Sequence, residues 1–90
     1  MNKAELIDSV AQKAGISKKD AGIAIEAMLD SINNALAQGE RVQLTGFGTF
    51  EVRSREERRG RNPQTGAEIR IPARRAPVFR AGKAMKESLQ

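Results

Sequence analysis

The segment RSREERRGRNPQTGAE, residues 53–68, contains only two non-polar side chains, Pro63 and Ala67, and both are small. Such a stretch contributes almost nothing to a core, so the chain must fold elsewhere and leave it projecting or disordered. A buried strand is excluded, because its arginines and glutamates would be stripped of water without matching partners.

Charge sharpens the point. Residues 53–76 carry eight arginines against three glutamates, an excess equal to the +5 of the whole chain. The remaining eight basic and eight acidic side chains cancel. All the excess charge therefore sits in one segment, which points to a polyanionic partner.

At 90 residues the chain is expected to form one domain, too small to bury a large core unaided. It has no cysteine and no histidine, so disulfides and Cys/His metal sites are unavailable and no metal or cofactor is expected. Oligomerisation is the leading source of the missing stability. The start, MNKAELIDSV, does not read as a signal peptide, and no segment approaches the ~20 apolar residues of a membrane span. A soluble cytoplasmic protein is expected.

The patterning predicts an α+β chain with its helices grouped at the start: a helical base over residues 1–40, a β region over 41–81 with an arm at about 53–76, and a final helix over 82–90. Asn2 suits an N-cap, with Glu5 three positions on. Leu6, Ile7, Val10, Ala11 and Ala14 follow at helical spacing, and Gly15 suits the stop. Ser17 opens a second helix whose stripe is Ala21, Ile25, Met28, Leu29, Ile32, Ala35 and Leu36, ended by Gly39. Arg41 to Leu44 alternates, Thr45-Gly46 turns, and Phe47 to Arg53 alternates again with Phe50 and Val52 inward. Ile69 and Ile71 restore alternation, and Val78 and Phe79 close the β region. Pro72 and Pro77 lack donors, which confines them to edges or irregular positions. The last helix, Lys83 to Leu89, offers Met85 and Leu89 as apolar contacts.

The basic segment reads as a two-stranded ribbon, out from Arg53 to Arg61 and back through Ile69 and Ile71. Its turn is Asn62-Pro63-Gln64-Thr65-Gly66, with Gly66 supplying the positive φ. Nine extended residues span roughly 30 Å, enough to follow a groove of B-DNA. Arg53, Arg55, Arg59 and Arg61 share one parity and Arg58 the other, so both faces are expected to carry charge. The ribbon has no lysine, which fits either arginine's aptitude for narrow grooves and phosphate or a genomic bias toward arginine. Pro63 fits two roles. It shapes the turn, as most loop prolines do, or it is an apolar wedge of the kind that unstacks a base step and kinks DNA by about 20–90°. Little holds the ribbon down, so it is expected to be disordered without DNA.

The run Gly46-Phe47-Gly48-Thr49-Phe50, followed by Arg55, Arg58, Gly60, Asn62, Pro63 and Thr65, resembles the signature of the bacterial histone-like DNA-binding family, the HU/IHF family. The likeness covers all 90 residues, through Gly82-Lys83-Ala84-Met85. Length, and the lack of extra residues at either end, make the chain more similar to the HU branch than to the sequence-selective integration host factor branch. The resemblance implies an intertwined dimer with a helical base, a short antiparallel sheet and long protruding two-stranded β-arms that embrace duplex DNA. It implies little sequence preference, a taste for bent, nicked or distorted sites, and a nucleoid-associated role in bending and compacting DNA. By position it makes Pro63 the intercalating residue and Arg61, Asn62 and Gln64 its tip neighbours. Phe47, Phe50 and Phe79 then form an aromatic dimer core, joined by Leu29, Ile32, Leu36 and Leu44. The partner subunit is either identical or a close paralogue.

Affinity is expected from Arg53, Arg55, Arg58, Arg59, Arg61, Arg70, Arg74 and Arg75. Lys3, Arg80, Lys83 and Lys86 are either body contacts to phosphate or ordinary surface charge. Glu56 and Glu57 are a local charge cost. Three rival readings fare worse. A helix-turn-helix with Ser17, Lys18 and Lys19 facing bases would set Asp20, Glu26 and Asp30 beside phosphates. An RNA binder remains a secondary reading, but there is no tyrosine or tryptophan for a stacking platform. An enzyme lacks histidine and cysteine, and Gly46-x-Gly48 is too short for a phosphate loop.

Overall fold

The computed structural model describes residues 1–55, 58–71 and 73–90, and these divide into two compact units, Met1–Ala35 and Leu36–Gln90. The expectations for Glu56, Glu57 and Pro72 lie outside the described residues.

The first unit is helical. Helix α1 (Lys3–Ala14) starts where the Asn2 side chain accepts the Glu5 N–H at 2.9 Å. It ends at Gly15, whose left-handed φ of 68° returns its N–H to the Ala11 carbonyl. Helix α2 (Lys18–Ala37) starts where Ser17 Oγ accepts the Asp20 N–H at 3.1 Å, and runs out of the unit in its last turn. Ala11, Ala21, Ile25 and Ile32 are buried. Ion pairs Lys3–Glu26 and Lys18–Asp8 (3.5 Å) flank this contact. Leu6, Met28 and Leu29 nevertheless remain exposed and, with Met1, Val10 and Ile25, line an open apolar groove.

The second unit holds two antiparallel sheets. Strands β1 (Val42–Leu44), β2 (Gly48–Arg55) and β5 (Arg74–Ala81) form one in the order β1-β2-β5, and β3 (Arg58–Arg61) pairs with β4 (Glu68–Ile71) in the other. In the first sheet, Phe50 stands opposite both Val42 and Phe79, so Val42, Leu44, Phe50, Val52, Pro77 and Phe79 share the apolar face. The Phe79 ring meets Phe50 and Phe47 edge-on, at centroid distances of 4.8 and 5.3 Å. Gly48 is required beneath it, since a Cβ there would run into the Phe79 ring and lie 2.7 Å from the Arg80 carbonyl oxygen. Pro77 falls on β5, an edge strand of this sheet, as a residue without a donor should. Helix α3 (Lys83–Ser88) closes the chain.

Two details differ from the sequence reading. The expected strand from Arg53 to Arg61 itself is matched on both sides of Glu56 and Glu57: Arg53 to Arg55 pair with Arg74 to Ala76, and Arg58 to Arg61 pair with Glu68 to Ile71 in the same antiparallel register. Beyond Phe50, β2 keeps only β5 as neighbour, so the two-stranded stem begins at Glu51, inside the region assigned to the body. Leu89 is not a packing residue. It caps α3 and remains exposed, leaving Met85 as the partly covered side chain.

Candidate nucleic-acid interface

The tip is a turn that satisfies itself. Asn62 N–H donates to the Ala67 carbonyl and Gly66 N–H to the Asn62 carbonyl, both at 2.7 Å. The Asn62 side chain accepts the Gln64 N–H at 2.9 Å, and Thr65 Oγ1 accepts the Ala67 N–H at 3.2 Å. Gly66 closes the turn at φ 71°. Pro63, whose missing N–H is not needed in this scheme, is exposed, as are Gln64 and Thr65. The sequence supplied each of these features: a side-chain acceptor before proline and a glycine after it.

Below the tip, β3 and β4 set Arg59 opposite Arg70 and Arg61 opposite Glu68, with all four residues on one face. Like charges directly opposite each other repel. Arg59 offsets this through Glu68 at 3.4 Å, and Arg70 also has an interaction partner. One carboxylate among three guanidinium groups leaves this face cationic. Gly60 and Ile69 occupy the other face, where Ile69 is 44% exposed with little to pack against. Arg55 and Arg58 are placed by register alone, opposite Arg74 and Ile71, so charge on both faces of the ribbon is not established by the described side chains.

On the polar face of the first sheet, Glu51 stands between Arg53 (3.6 Å) and Arg80 (3.7 Å). Its side chain is only 20% exposed, whereas both arginines are largely exposed. Its Oε1 is buried and makes no hydrogen bond, so the two cations hold it by charge alone. The sequence reading missed this carboxylate. The signal was its parity with Arg53 on an alternating strand. Arg74 is exposed nearby in register.

Arg75, one of the expected contacts, is already engaged in the free chain. Its Nη2 donates to the Leu36 and Ala37 carbonyls, each at 3.2 Å, so the guanidinium is engaged at the end of α2. The suggested body contacts are partly engaged as well: Lys3 with Glu26, and Lys83 with Glu87 at 3.9 Å, while Lys86 lies in the last turn of α3. Of the expected dimer core, Ile32 and Leu36 are buried, Leu44, Phe50 and Phe79 half-buried, and Leu29 and Phe47 38% and 46% exposed. Among the described residues no group of His, Cys, Asp or Glu is arranged to hold a metal ion, and no helix is long and apolar enough to cross a membrane.

A profile described as "Bacterial DNA-binding protein" matches residues 1–90. The chain belongs to the bacterial DNA-binding protein family. Relatives in that family include DNA-binding protein HU of Staphylococcus aureus, 58% identical over 90 residues and covering all of both chains. DNA-binding protein HU of Geobacillus stearothermophilus is 57% identical with the same coverage. Among solved structures, an Anabaena HU–DNA cocrystal matches with a TM-score of 0.86 and 48% identity, covering 99% of this chain and 97% of that one. HU from Thermotoga maritima matches with a TM-score of 0.71 and 40% identity over the full length of both. Family membership and the α+β architecture with its β-arm thus agree.

Proposed function

We propose that the protein is an architectural DNA-binding protein, in which arms grip duplex DNA and bend it with little dependence on sequence. The observation that carries this is the arm: the segment holding the chain's entire net charge ends in a self-closed turn that presents an exposed proline. Phosphate neutralisation by Arg53, Arg55, Arg58, Arg59, Arg61, Arg70, Arg74 and Arg80 supplies affinity without base readout. Asn62 and Gln64 position Pro63, which enters a base step as an apolar wedge and favours DNA that is already bent, nicked or distorted. Minor-groove architectural proteins, HU among them, kink DNA by about 20–90° in this way. The role is structural and not catalytic, in the nucleoid and therefore the cytoplasm.

The working unit is a dimer. The groove of Met1, Leu6, Val10, Ile25, Met28 and Leu29, and the exposed ring of Phe47, are apolar surface that a chain with so few buried side chains needs covered, and a second copy is the occupant. Lys3, Lys83 and Lys86 add weaker contacts to phosphate once released from their carboxylates.

The test is affinity for nicked against intact duplex of matched sequence, repeated across salt. If a dimer neutralises about 6–10 phosphates, raising salt from about 50 to 200 mM weakens binding by about 10³–10⁵-fold. A flat salt response would remove the electrostatic basis, and equal affinity for nicked and intact duplex would remove the preference for distortion.

A further inference from the structure

Helix α2 ends without a cation of its own: its last turn carries no basic residue. The final carbonyls of any helix lack intrahelical donors and carry partial negative charge, which a nearby cation offsets. Here two donors arrive. Gly39, in the left-handed region at φ 79°, gives its N–H to the Leu36 carbonyl at 2.9 Å. Arg75 gives Nη2 to the carbonyls of both Leu36 and Ala37 at 3.2 Å. The arginine comes from β5, 38 positions further along the chain than Ala37. Its strand neighbours are Arg74, opposite Arg55, and Ala76, opposite Arg53, so Arg75 sits opposite Ser54, three pairs beyond the start of the stem at Glu51. A single planar guanidinium thereby ties the lower stem of the arm to the end of the helix, a two-carbonyl grip for which arginine's rigid set of donors is suited.

We infer that Arg75 is a positioning residue for DNA bending and not a phosphate ligand, with its guanidinium fixing the direction in which the arm leaves. The inference rests on the bending role proposed above. Its consequences nevertheless separate from those of that role. A phosphate ligand lost from the interface lowers the salt slope by about 0.9 per contact. A residue that only stabilises the fold lowers the melting temperature and leaves the geometry of the complex alone. A positioning residue leaves the slope alone and changes the geometry.

The experiment compares wild type with Arg75→Gln and Arg75→Lys. Gln removes the charge and most of the reach, whereas Lys keeps a donor that can still meet a carbonyl. Three quantities are read on each: the salt slope of binding, the end-to-end energy transfer of a bent duplex at saturating protein, and, without DNA, energy transfer between dyes at Glu40→Cys and Thr65→Cys. The chain has no native cysteine, so both labels are specific. For Arg75→Gln the expected result is an unchanged slope, a smaller bend and a broadened distribution of dye distances, with Arg75→Lys recovering part of both. A slope reduced by about 0.9 per arm with bend and dye distances unchanged would make Arg75 a phosphate ligand and overturn the inference. So would a lower melting temperature with bend and distances intact. If wild type itself leaves the duplex straight, the bending role fails, and the dye distances in the free protein still report whether Arg75 sets the arm.

Discussion

Asn62 and Gln64 are joined across Pro63, the side-chain oxygen of the first accepting the backbone N–H of the second at 2.9 Å. The proline at the end of the arm is thus held from both sides before any ligand arrives. Asn62→Ala should loosen that grip and reduce DNA bending while leaving the salt slope of affinity unchanged. Pro63→Ala should do the same more severely, since it removes the proposed wedge itself. Energy transfer between duplex ends measures the bend, and an unchanged bend for Pro63→Ala would leave that residue as a turn former only.

Glu51 already neutralises part of Arg53 and Arg80 in the free protein. Glu51→Gln should therefore tighten binding at low salt and steepen the salt slope, by up to about 0.9 for each arginine released to phosphate. Fluorescence anisotropy titrations over a salt series would decide this; a slope equal to wild type would mean that the carboxylate does not compete with DNA.

Gly48 is packed beneath Phe79, with the Arg80 carbonyl close by. Adding one methyl group, Gly48→Ala, forces strand β2 away from β5 and should destabilise the fold by about 1–3 kcal/mol. Thermal unfolding would show it, and Phe79→Ala combined with Gly48→Ala should lose less than the sum of the two single changes, because the ring that clashes is gone.

Among the described side chains of β3 and β4, all but the half-buried Gly60 are exposed and none packs into a core. Hydrogen exchange in the free protein should accordingly be fast at residues 58–61 and 68–71 and slow at Phe50 and Phe79, where the sheet carries packed rings. Strong protection along the arm would show that backbone pairing alone keeps it closed.

Leu29 lies exposed in the apolar groove of the first unit. Leu29→Glu should put a charge into the surface assigned to a second copy and shift the protein toward monomer in sedimentation, with weaker DNA binding as a result. A variant that remains dimeric would move the interface elsewhere.

Helix caps were legible because they are local: Asn2, Gly15, Ser17 and Gly39 take the roles their side chains or φ values dictate. The tip was legible for the same reason. The start of the two-stranded stem was not, because alternation runs unbroken through Phe50 and Glu51 and only the end of β1 pairing marks the change. The engagement of Arg75 was not legible either, because nothing in its neighbourhood in sequence reveals that α2 ends beside it. Counting charge located the surface; it did not say which charges were already occupied. Glu51, a single acid in a basic strand, looked incidental until its two partners came from different strands.

The closed turn around Pro63 and the uncovered ladder beneath it divide stiffness unevenly along the arm. Ordering the tip costs little at binding, because four hydrogen bonds have fixed it already. Among the described residues of β3 and β4 no side chains form a core to resist twisting, so on the proposed reading this part of the stem can follow whatever groove width a given sequence offers. Under the proposed function, a stiff head on a compliant stem allows one chain to deliver the same mechanical step to many different duplexes, and tolerance of sequence then follows from the elasticity of the arm as much as from contacts to phosphate.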